Sequence, residues 1–406
     1  MILCKYNVKQ TFCILPWVHI LPKHSGNVIP CCMWQGPSIG NTLDKTLYEI
    51  AHGKEMDNIR HSIMNGTLIS GCASCNEKNQ LIESNNLPIT SYNASPKLTQ
   101  QLLSDTNTDG SLKSEFKLRY MNFRFSNLCN YSCRSCGPVD SSKIAQEQKN
   151  PIPIKIISKE DEIYRVMFDN LLYAEEINFA GGESVIMPQY WNILDRLIEL
   201  GNTSVKITYV TNLSKLEFQK KNLLDYIKVF DNFHLRASID ASHQRGEIYR
   251  NGTNWNKTEN ILRILNRENA QVSINCTVGA TNILHCPDLE QYLIENELIK
   301  ANKFDLNFLH YPKLLNSRIL PTSYKKRVTT RIENHISWLT QHNININRWS
   351  ELIEFMNFSD DSYLLPNFIS YHNKLDSIRK QNIFEAFPEL NDIKYAKLQF
   401  YAKRPI

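Results

Sequence analysis

The sequence predicts an α/β fold: a partial (β/α)6 barrel with a small N-terminal cysteine-rich unit and a helical C-terminal tail. Three observations predict it. From Phe116 onward, six β-rich runs alternate with stretches of helical periodicity, the pattern of parallel βα units. Nine of the eleven cysteines precede residue 137, in two sets, and none follows Cys286. A stretch rich in Ser, Thr, Asn, Asp and Gly, 92–115, separates the two regions.

In chain order, residues 1–91 hold short apolar pieces, turn signals and clustered cysteines, and read as an auxiliary unit. Residues 92–115 read as a linker with one helical turn. The barrel spans 116–320. Its strands are expected at 117–125, 176–180, 205–211, 233–239, 270–278 and 304–311, with helices over 159–176 and 188–201 between them. A helical extension, 321–406, follows. The sequence contains no internal repeat and no low-complexity segment.

Composition narrows the function. With 406 residues, 42% apolar and 21% charged, the chain can bury one large domain plus an accessory unit. A net charge of +5 is thin for this length, and the densest basic run, Tyr324–Arg331, reads as a solvated helix face. Both argue against nucleic acid as a partner. No apolar run approaches the roughly 18 residues that span a bilayer, and "MILCKYNVKQ" has no signal-peptide core. The expected location is cytoplasmic, where clustered cysteines point to metal ligation before disulfides.

Cys129, Cys133 and Cys136 form C-x3-C-x2-C in the loop after the first strand. One loop with this spacing can wrap a single inorganic core. Three thiolates leave a coordination position open, whereas a structural zinc site fills all four. A zinc knuckle borrowing a fourth ligand is the alternative. The second strand runs into Gly181, Gly182 and Glu183, where glycines allow close backbone approach or a plain βα turn. The third ends at Thr211 and Asn212, and the fourth at Ser238 and Asp240. Arg250 and Asn282 follow the fourth and fifth. Taken singly, the short polar residues are more often helix N-caps. Together they fall on loops at the C-terminal ends of successive strands, where βα barrels collect functional groups.

The cysteine spacing after a first β-strand resembles the radical S-adenosylmethionine (radical SAM) superfamily, with Ser135 where an aromatic residue is common. "AGGES" is similar to that family's Gly-Gly-Glu-Pro motif, with Ser184 in place of the proline. The resemblance implies a [4Fe–4S] cluster on Cys129, Cys133 and Cys136. It also implies SAM held by Gly181, Gly182 and Glu183 at its amino group, by Arg250 at its carboxylate, by Thr211, Asn212, Ser238 and Asp240 at the ribose, and by Asn282 near the adenine or ribose. The implied activity is reductive cleavage of SAM to a 5′-deoxyadenosyl radical that abstracts hydrogen from a substrate. A one-electron donor such as flavodoxin or ferredoxin is implied as a partner.

Cys13, Gly26 and Cys31 (C-x12-G-x4-C), followed by Cys72 and Cys75 (C-x2-C), resemble the half-cluster units of SPASM and twitch domains. That implies a second, auxiliary iron–sulfur cluster on Cys13, Cys31, Cys72 and Cys75, with Cys32 as a substitute for Cys31. The pattern is equally that of a zinc ribbon. The stretch 375–390 resembles the ending of radical SAM proteins that carry such an N-terminal unit, and no chemical role attaches to it. Cys276 and Cys286 read as buried structural thiols, Cys4 as a free one, and His19, His24 and His310 as ordinary satisfied histidines. Trp17 and Trp34 are expected to shield the auxiliary site. The expected substrate is a peptide or protein side chain; a sugar or nucleotide is the alternative within the same chemistry. A zinc-stabilised nucleic-acid-binding protein is the alternative of another class.

Overall fold

Each of the six expected strands forms, and they pair in chain order into one parallel sheet: β4 (Tyr120–Phe123), β6 (Glu176–Phe179), β7 (Lys206–Thr211), β10 (Asn232–Ser238), β12 (Gln271–Val278) and β13 (Phe304–Phe308). The computed structural model describes residues 12–23, 26–73, 95–149 and 162–393. Cys4, His24 and Cys75 lie outside the described residues. Neighbours in sequence are neighbours in the sheet, which right-handed βα crossovers produce. All but β10 are shorter than alternation suggested, notably β4 and β13, because the flanking residues turn into loops.

Strand alternation divides the sheet's two faces. In β10, Phe233, Leu235 and Ala237 are buried, while His234, Arg236 and Ser238 are half-buried on the other side. Helices cover the apolar face. In α10 (Trp255–Arg267), capped by Asn254, residues Trp255, Thr258, Ile261, Leu262 and Leu265 recur at helical spacing and are buried. Helix α7 (Pro188–Glu199) buries Tyr190, Trp191, Ile193, Leu194 and Leu197 in the same way. The expected helix over 159–176 is shorter: α6 (Glu162–Asp169), followed by a 3-10 turn at Leu171–Tyr173.

Two expectations are corrected. The linker contains a nine-residue helix, α4 (Pro96–Ser104), in place of one turn. Ser95 caps it through Leu98 N at 3.1 Å and Pro96 opens it, a start signal that its polar composition conceals. The basic run Tyr324–Arg331 lies in α12 (Thr322–Gln341), yet Tyr324, Lys325 and Val328 are buried. Lys325 Nζ donates to Ser359 O at 2.7 Å, so this face packs against the chain instead of facing solvent.

The N-terminal unit comprises α1 (Leu15–Val18), α2 (Leu47–Ala51), α3 (Lys54–Met64) and a small antiparallel sheet of β1 (Leu21–Pro22), β2 (Asn27–Ile29) and β3 (Gly40–Asn41). It docks at the start of β4. Arg119 N donates to Val18 O at 2.9 Å, and His19 Nδ1 bonds Tyr120 O at 3.0 Å. Trp17 Nε1 donates to Thr106 Oγ1 at 2.9 Å, which ties the linker into the same seam. Buried Arg60 reaches Pro16 O, Ala51 O and Asp57. His19 is thus the satisfied histidine expected of it.

His19 is 1% exposed, and burial lowers its pKa from 6.5 to about 4. Between those values the unfolded chain binds a proton that the folded chain refuses, so stability falls as pH drops from about 6.5 to about 4. The loss amounts to about 3 kcal/mol from this group at the lower end. Denaturant titrations at pH 7 and pH 4.5 will show this slope. A His19→Gln variant will show a flatter one, even though it starts from a lower stability at pH 7.

Candidate functional site

The cysteine loop leaves the end of β4 and makes a short strand, β5 (Ser132–Cys133), antiparallel to β11 (Arg250–Asn251). That pairing sets Arg250 directly opposite Cys133. Cys136 N donates to Cys133 O at 3.2 Å, closing a turn between the last two cysteines, whose thiols are within hydrogen-bonding reach. Tyr131 N donates to Cys129 Sγ at 3.5 Å, and Cys129 N to Ser142 Oγ at 3.1 Å. The three thiols therefore gather at one end of the sheet. Burial pushes the Cys129 thiol up to about 12, with Arg250 acting in the opposite direction. Arg250 exerts the same pull on Cys133 and Cys136. The contact between Cys133 and Cys136 lowers the first thiol and raises the second, so Cys129 and Cys136 are the reluctant ones, and a bound cation would deprotonate them as metal ligation requires.

Gly181 and Gly182 both have positive φ, +94° and +51°. A Cβ on Gly182 would stand 2.2 Å from Leu128 O, the residue before Cys129. Glu183 N donates to that same carbonyl at 2.8 Å. The glycine pair thus allows the second loop to lie against the cysteine loop. Glu183 itself is buried, and its carboxylate accepts from Thr211 Oγ1 and Asn212 N, both at 2.7 Å, and from Val185 N at 3.2 Å. Burial raises its pKa while these donors lower it. Asn212 Nδ2 continues to Asn130 Oδ1 at 2.9 Å, back on the cysteine loop.

Asp240 is buried. Its Oδ2 lies 2.9 Å from Arg250 Nη1, and its Oδ1 accepts from Thr277 N at 2.7 Å. Asn282 donates to Asp240 O and Thr277 O and accepts from Gly279 N, so its amide is engaged by backbone on three sides. Ser238 sits half-buried at the end of β10. The structure thus brings Gly181, Gly182, Glu183, Thr211, Asn212, Asp240 and Arg250 into contact with the cysteine loop or with one another. Asn282 joins as a brace behind Asp240.

The residues present fit an anionic cluster and an anionic ligand beside it. The donor set is three thiols. The guanidinium next to all three keeps its Nε buried with no acceptor, an orphan that a carboxylate or sulfide would satisfy. Among the described residues, no three His, Cys, Asp or Glu side chains converge closely enough to hold a single ion.

In the N-terminal unit, Gly26 (φ +84°) makes the tight turn before β2, where a Cβ would stand 2.7 Å from Asn41 Oδ1. Gln35 N donates to Gly71 O at 2.9 Å, bringing the Cys31 segment beside the 3-10 turn Ser70–Cys72. The Trp34 ring lies against Gly71, next to Cys72, as a shielding role requires. Trp17 is buried in the seam with the linker instead. Cys13, Cys31 and Cys72 are half-buried and Cys32 is exposed; Cys75, the fourth expected ligand, is outside the described residues. Cys276 and Cys286 are buried with their sulfurs 3.6 Å apart, and His310 is exposed, edge-on to Phe355.

Two groups of residues were missed from the sequence. One is the C-terminal set Tyr371, His372, Asp376, Arg379 and Gln381, which bonds the cysteine loop or its immediate neighbours. The other is the polar face of the sheet. There Asn122, Asn178, His234, Arg236 and Ser273 each keep a buried polar atom without a partner. Register places them side by side: Asn122 opposite Asn178, Thr208 opposite both Asn178 and His234, and Arg236 opposite Ser273. The polar positions between the apolar ones in β10 were the signal available in the sequence.

Residues 13–76 match the model of the SPASM family, described as an iron–sulfur cluster-binding domain. No curated protein matches the chain in sequence. Among solved structures, the chain is similar to anSMEcpe with bound AdoMet and Cp18Cys peptide, at 15% identity and a TM-score of 0.39, over 55% of this chain and 60% of that one. It is similar to Streptococcus suis SuiB bound to precursor peptide SuiA, at 14% identity and a TM-score of 0.41, over 84% and 72%. It is also similar to TsrM, a radical S-adenosylmethionine methyltransferase from Kitasatospora setae, at 11% identity and a TM-score of 0.32, over 47% and 36%. The chain thus spans about 60% of anSMEcpe.

Gly182→Ala forces a Cβ into Leu128 O at a positive φ. The expected cost is at least about 3 kcal/mol, relieved only by moving the loop off the cysteines. A lowered Tm together with faster amide exchange in the adjoining cysteine loop will show it. Gly201→Ala, where φ is also positive but the space is open, will lower Tm far less.

Proposed function

We propose that this chain is a radical SAM enzyme, with a [4Fe–4S] cluster on Cys129, Cys133 and Cys136 and an auxiliary iron–sulfur cluster on Cys13, Cys31, Cys72 and Cys75. The observation that carries the reading is that one loop with three thiols, the Gly-Gly-Glu loop and Arg250, with its unpaired buried Nε, adjoin one another at the C-terminal end of a six-stranded parallel sheet. The SPASM match over residues 13–76 supports the auxiliary cluster. When bound, the cluster and SAM supply one-electron cleavage of the sulfonium and a radical that takes hydrogen from substrate.

The protein's own part is binding and orientation. Arg250, fixed by Asp240, offers its free guanidinium edge to a carboxylate. The 181–183 loop presents backbone polar groups beside the cysteines, and Glu183 keeps it in place. The burial of Cys133, Glu183 and Asp240 limits water on the sheet side of the site. The proposed substrate is a peptide or protein side chain. Its support is the polar sheet face: Asn122 Oδ1 and Asn178 Oδ1 call for donors and Arg236 Nε for an acceptor, and an amide group supplies both. A sugar or nucleotide remains the alternative substrate, and a flavodoxin or ferredoxin the proposed electron donor.

Anaerobically reconstituted protein is expected to hold about eight irons per chain, falling to about four in Cys129→Ala/Cys133→Ala/Cys136→Ala. Formation of 5′-deoxyadenosine from SAM and dithionite will be lost in that variant. Zinc in place of iron, with no deoxyadenosine from the wild type, would refute the proposal and favour the zinc-stabilised alternative. About four irons in the wild type with cleavage intact would remove the auxiliary cluster alone.

A further inference from the structure

Helix α14 (Leu365–Arg379) and the residues just after it grip the cysteine loop from outside the sheet. Arg134, between the second and third cysteines, is 0% exposed. Its Nη2 donates to Asp376 Oδ1 and, at 3.0 Å, to Gln381 Oε1, and its Nε donates to Ile248 O at 3.1 Å. Its Nη1 lies 3.3 Å from His372 Nδ1, and its carbonyl accepts from Tyr371 OH at 2.7 Å. His372 Nε2 is in turn 3.0 Å from Thr281 Oγ1, the residue before Asn282.

A second chain of bonds reaches the loop from the other side. Ser132 Oγ donates to Glu147 Oε1 at 2.6 Å, and Glu147 Oε2 accepts from Arg379 Nη2 at 2.7 Å and Nε at 3.1 Å. Gln381 Nε2 donates to Asn251 Oδ1 at 2.8 Å, and Asn251 Nδ2 to Ser132 Oγ at 2.9 Å. Ser132 and Arg134, on either side of Cys133, are thus each tied to the tail or to a residue that the tail holds. The side chain of Arg379 is 3% exposed, and its Nη1 has no acceptor. A buried guanidinium with an unmade hydrogen bond, set against a loop of thiols, points to a negatively charged group there.

We infer that the C-terminal helix is part of the cluster site, with Arg134 and Arg379 as positioning residues that fix the cysteine loop and make its iron–sulfur centre easier to reduce. The inference rests on the proposed cluster at Cys129, Cys133 and Cys136. Reduction adds one electron, here from dithionite, and hence one negative charge in a water-poor site. A buried cation nearby stabilises the reduced form, and removing it disfavours that form. Arg379 is among the strongest charges acting on the Cys133 thiol, alongside Arg250 and Asp240. Tyr371 contributes only a hydrogen bond to the loop, which separates holding from charge.

The test is a potentiometric titration of the full, reconstituted chain without SAM. It follows the paramagnetic signal that is absent from Cys129→Ala/Cys133→Ala/Cys136→Ala. Arg379→Gln is expected to keep the iron but lower the ratio of reduced to oxidised cluster, at a fixed solution potential, by about tenfold, which is about 59 mV for one electron. Arg379→Lys should recover most of it. Glu147→Gln, which removes the counter-charge, should raise the ratio. Tyr371→Phe should leave the ratio unchanged and speed amide exchange at 132–136 in the metal-free protein. An unchanged ratio in Arg379→Gln and Glu147→Gln, with full iron, would overturn the electrostatic role. Unchanged exchange in Tyr371→Phe would overturn the clamp. If Arg379→Gln loses its iron, the Glu147→Gln result decides the charge effect alone. A wild type without iron on these three cysteines would instead refute the functional proposal beneath it.

Discussion

Glu183 places a carboxylate in a buried pocket at the end of the sheet, and a carboxylate without water must find donors from protein. It finds them on Val185, Thr211 and Asn212, so one charged group joins the loops that follow two neighbouring strands. Removing it would leave two backbone N–H groups and a hydroxyl unsatisfied in the interior, at about 1–3 kcal/mol each. The glycines before it let the loop sit against Leu128, and Asn212 carries the connection to Asn130. The position of the cysteines relative to the sheet depends on this carboxylate being satisfied.

The next two strands repeat the arrangement with an ion pair. Asp240 is braced by Asn282 and Thr277 and aims Arg250 at the cysteines, while the pairing of β5 with β11 fixes the register at Cys133. Both acidic side chains hold the structure that holds the site. Among the buried groups left unmatched, Arg250 Nε and Arg379 Nη1 lie beside the cysteine loop, and atoms of Asn122, Asn178, His234, Arg236 and Ser273 lie on the polar side of the sheet.

Much of this was legible in sequence because it is local. Alternation in "VKITYVT" or "FHLRASI" reports which face is buried, and cysteine spacing reports which thiols one loop can gather. The Gly-Gly-Glu and Asp…Arg positions were legible for the same reason, and the N-terminal cysteines fall inside a matching family. What was not legible is non-local or carried by composition that misleads. Helix α4 hid in a polar stretch because Ser95 and Pro96 start helices as well as turns. Lys325 looked solvated because its acceptor, Ser359 O, is 34 residues away. Arg134 looked like any residue between cysteines, and only the folded tail shows what buries it.

The span between Arg134 and Asp376, 242 residues, has a consequence for how the molecule is made. At translation rates of about 5–20 residues per second, the cysteines emerge roughly 10–50 s before the helix that clamps them. The βα units between them join the sheet in chain order, so the strands can assemble as they appear. The cysteine loop, by contrast, stays unclamped until Tyr371, Asp376 and Gln381 arrive. A nascent chain that has not yet made this helix would therefore present its thiols unclamped to oxygen and stray metals.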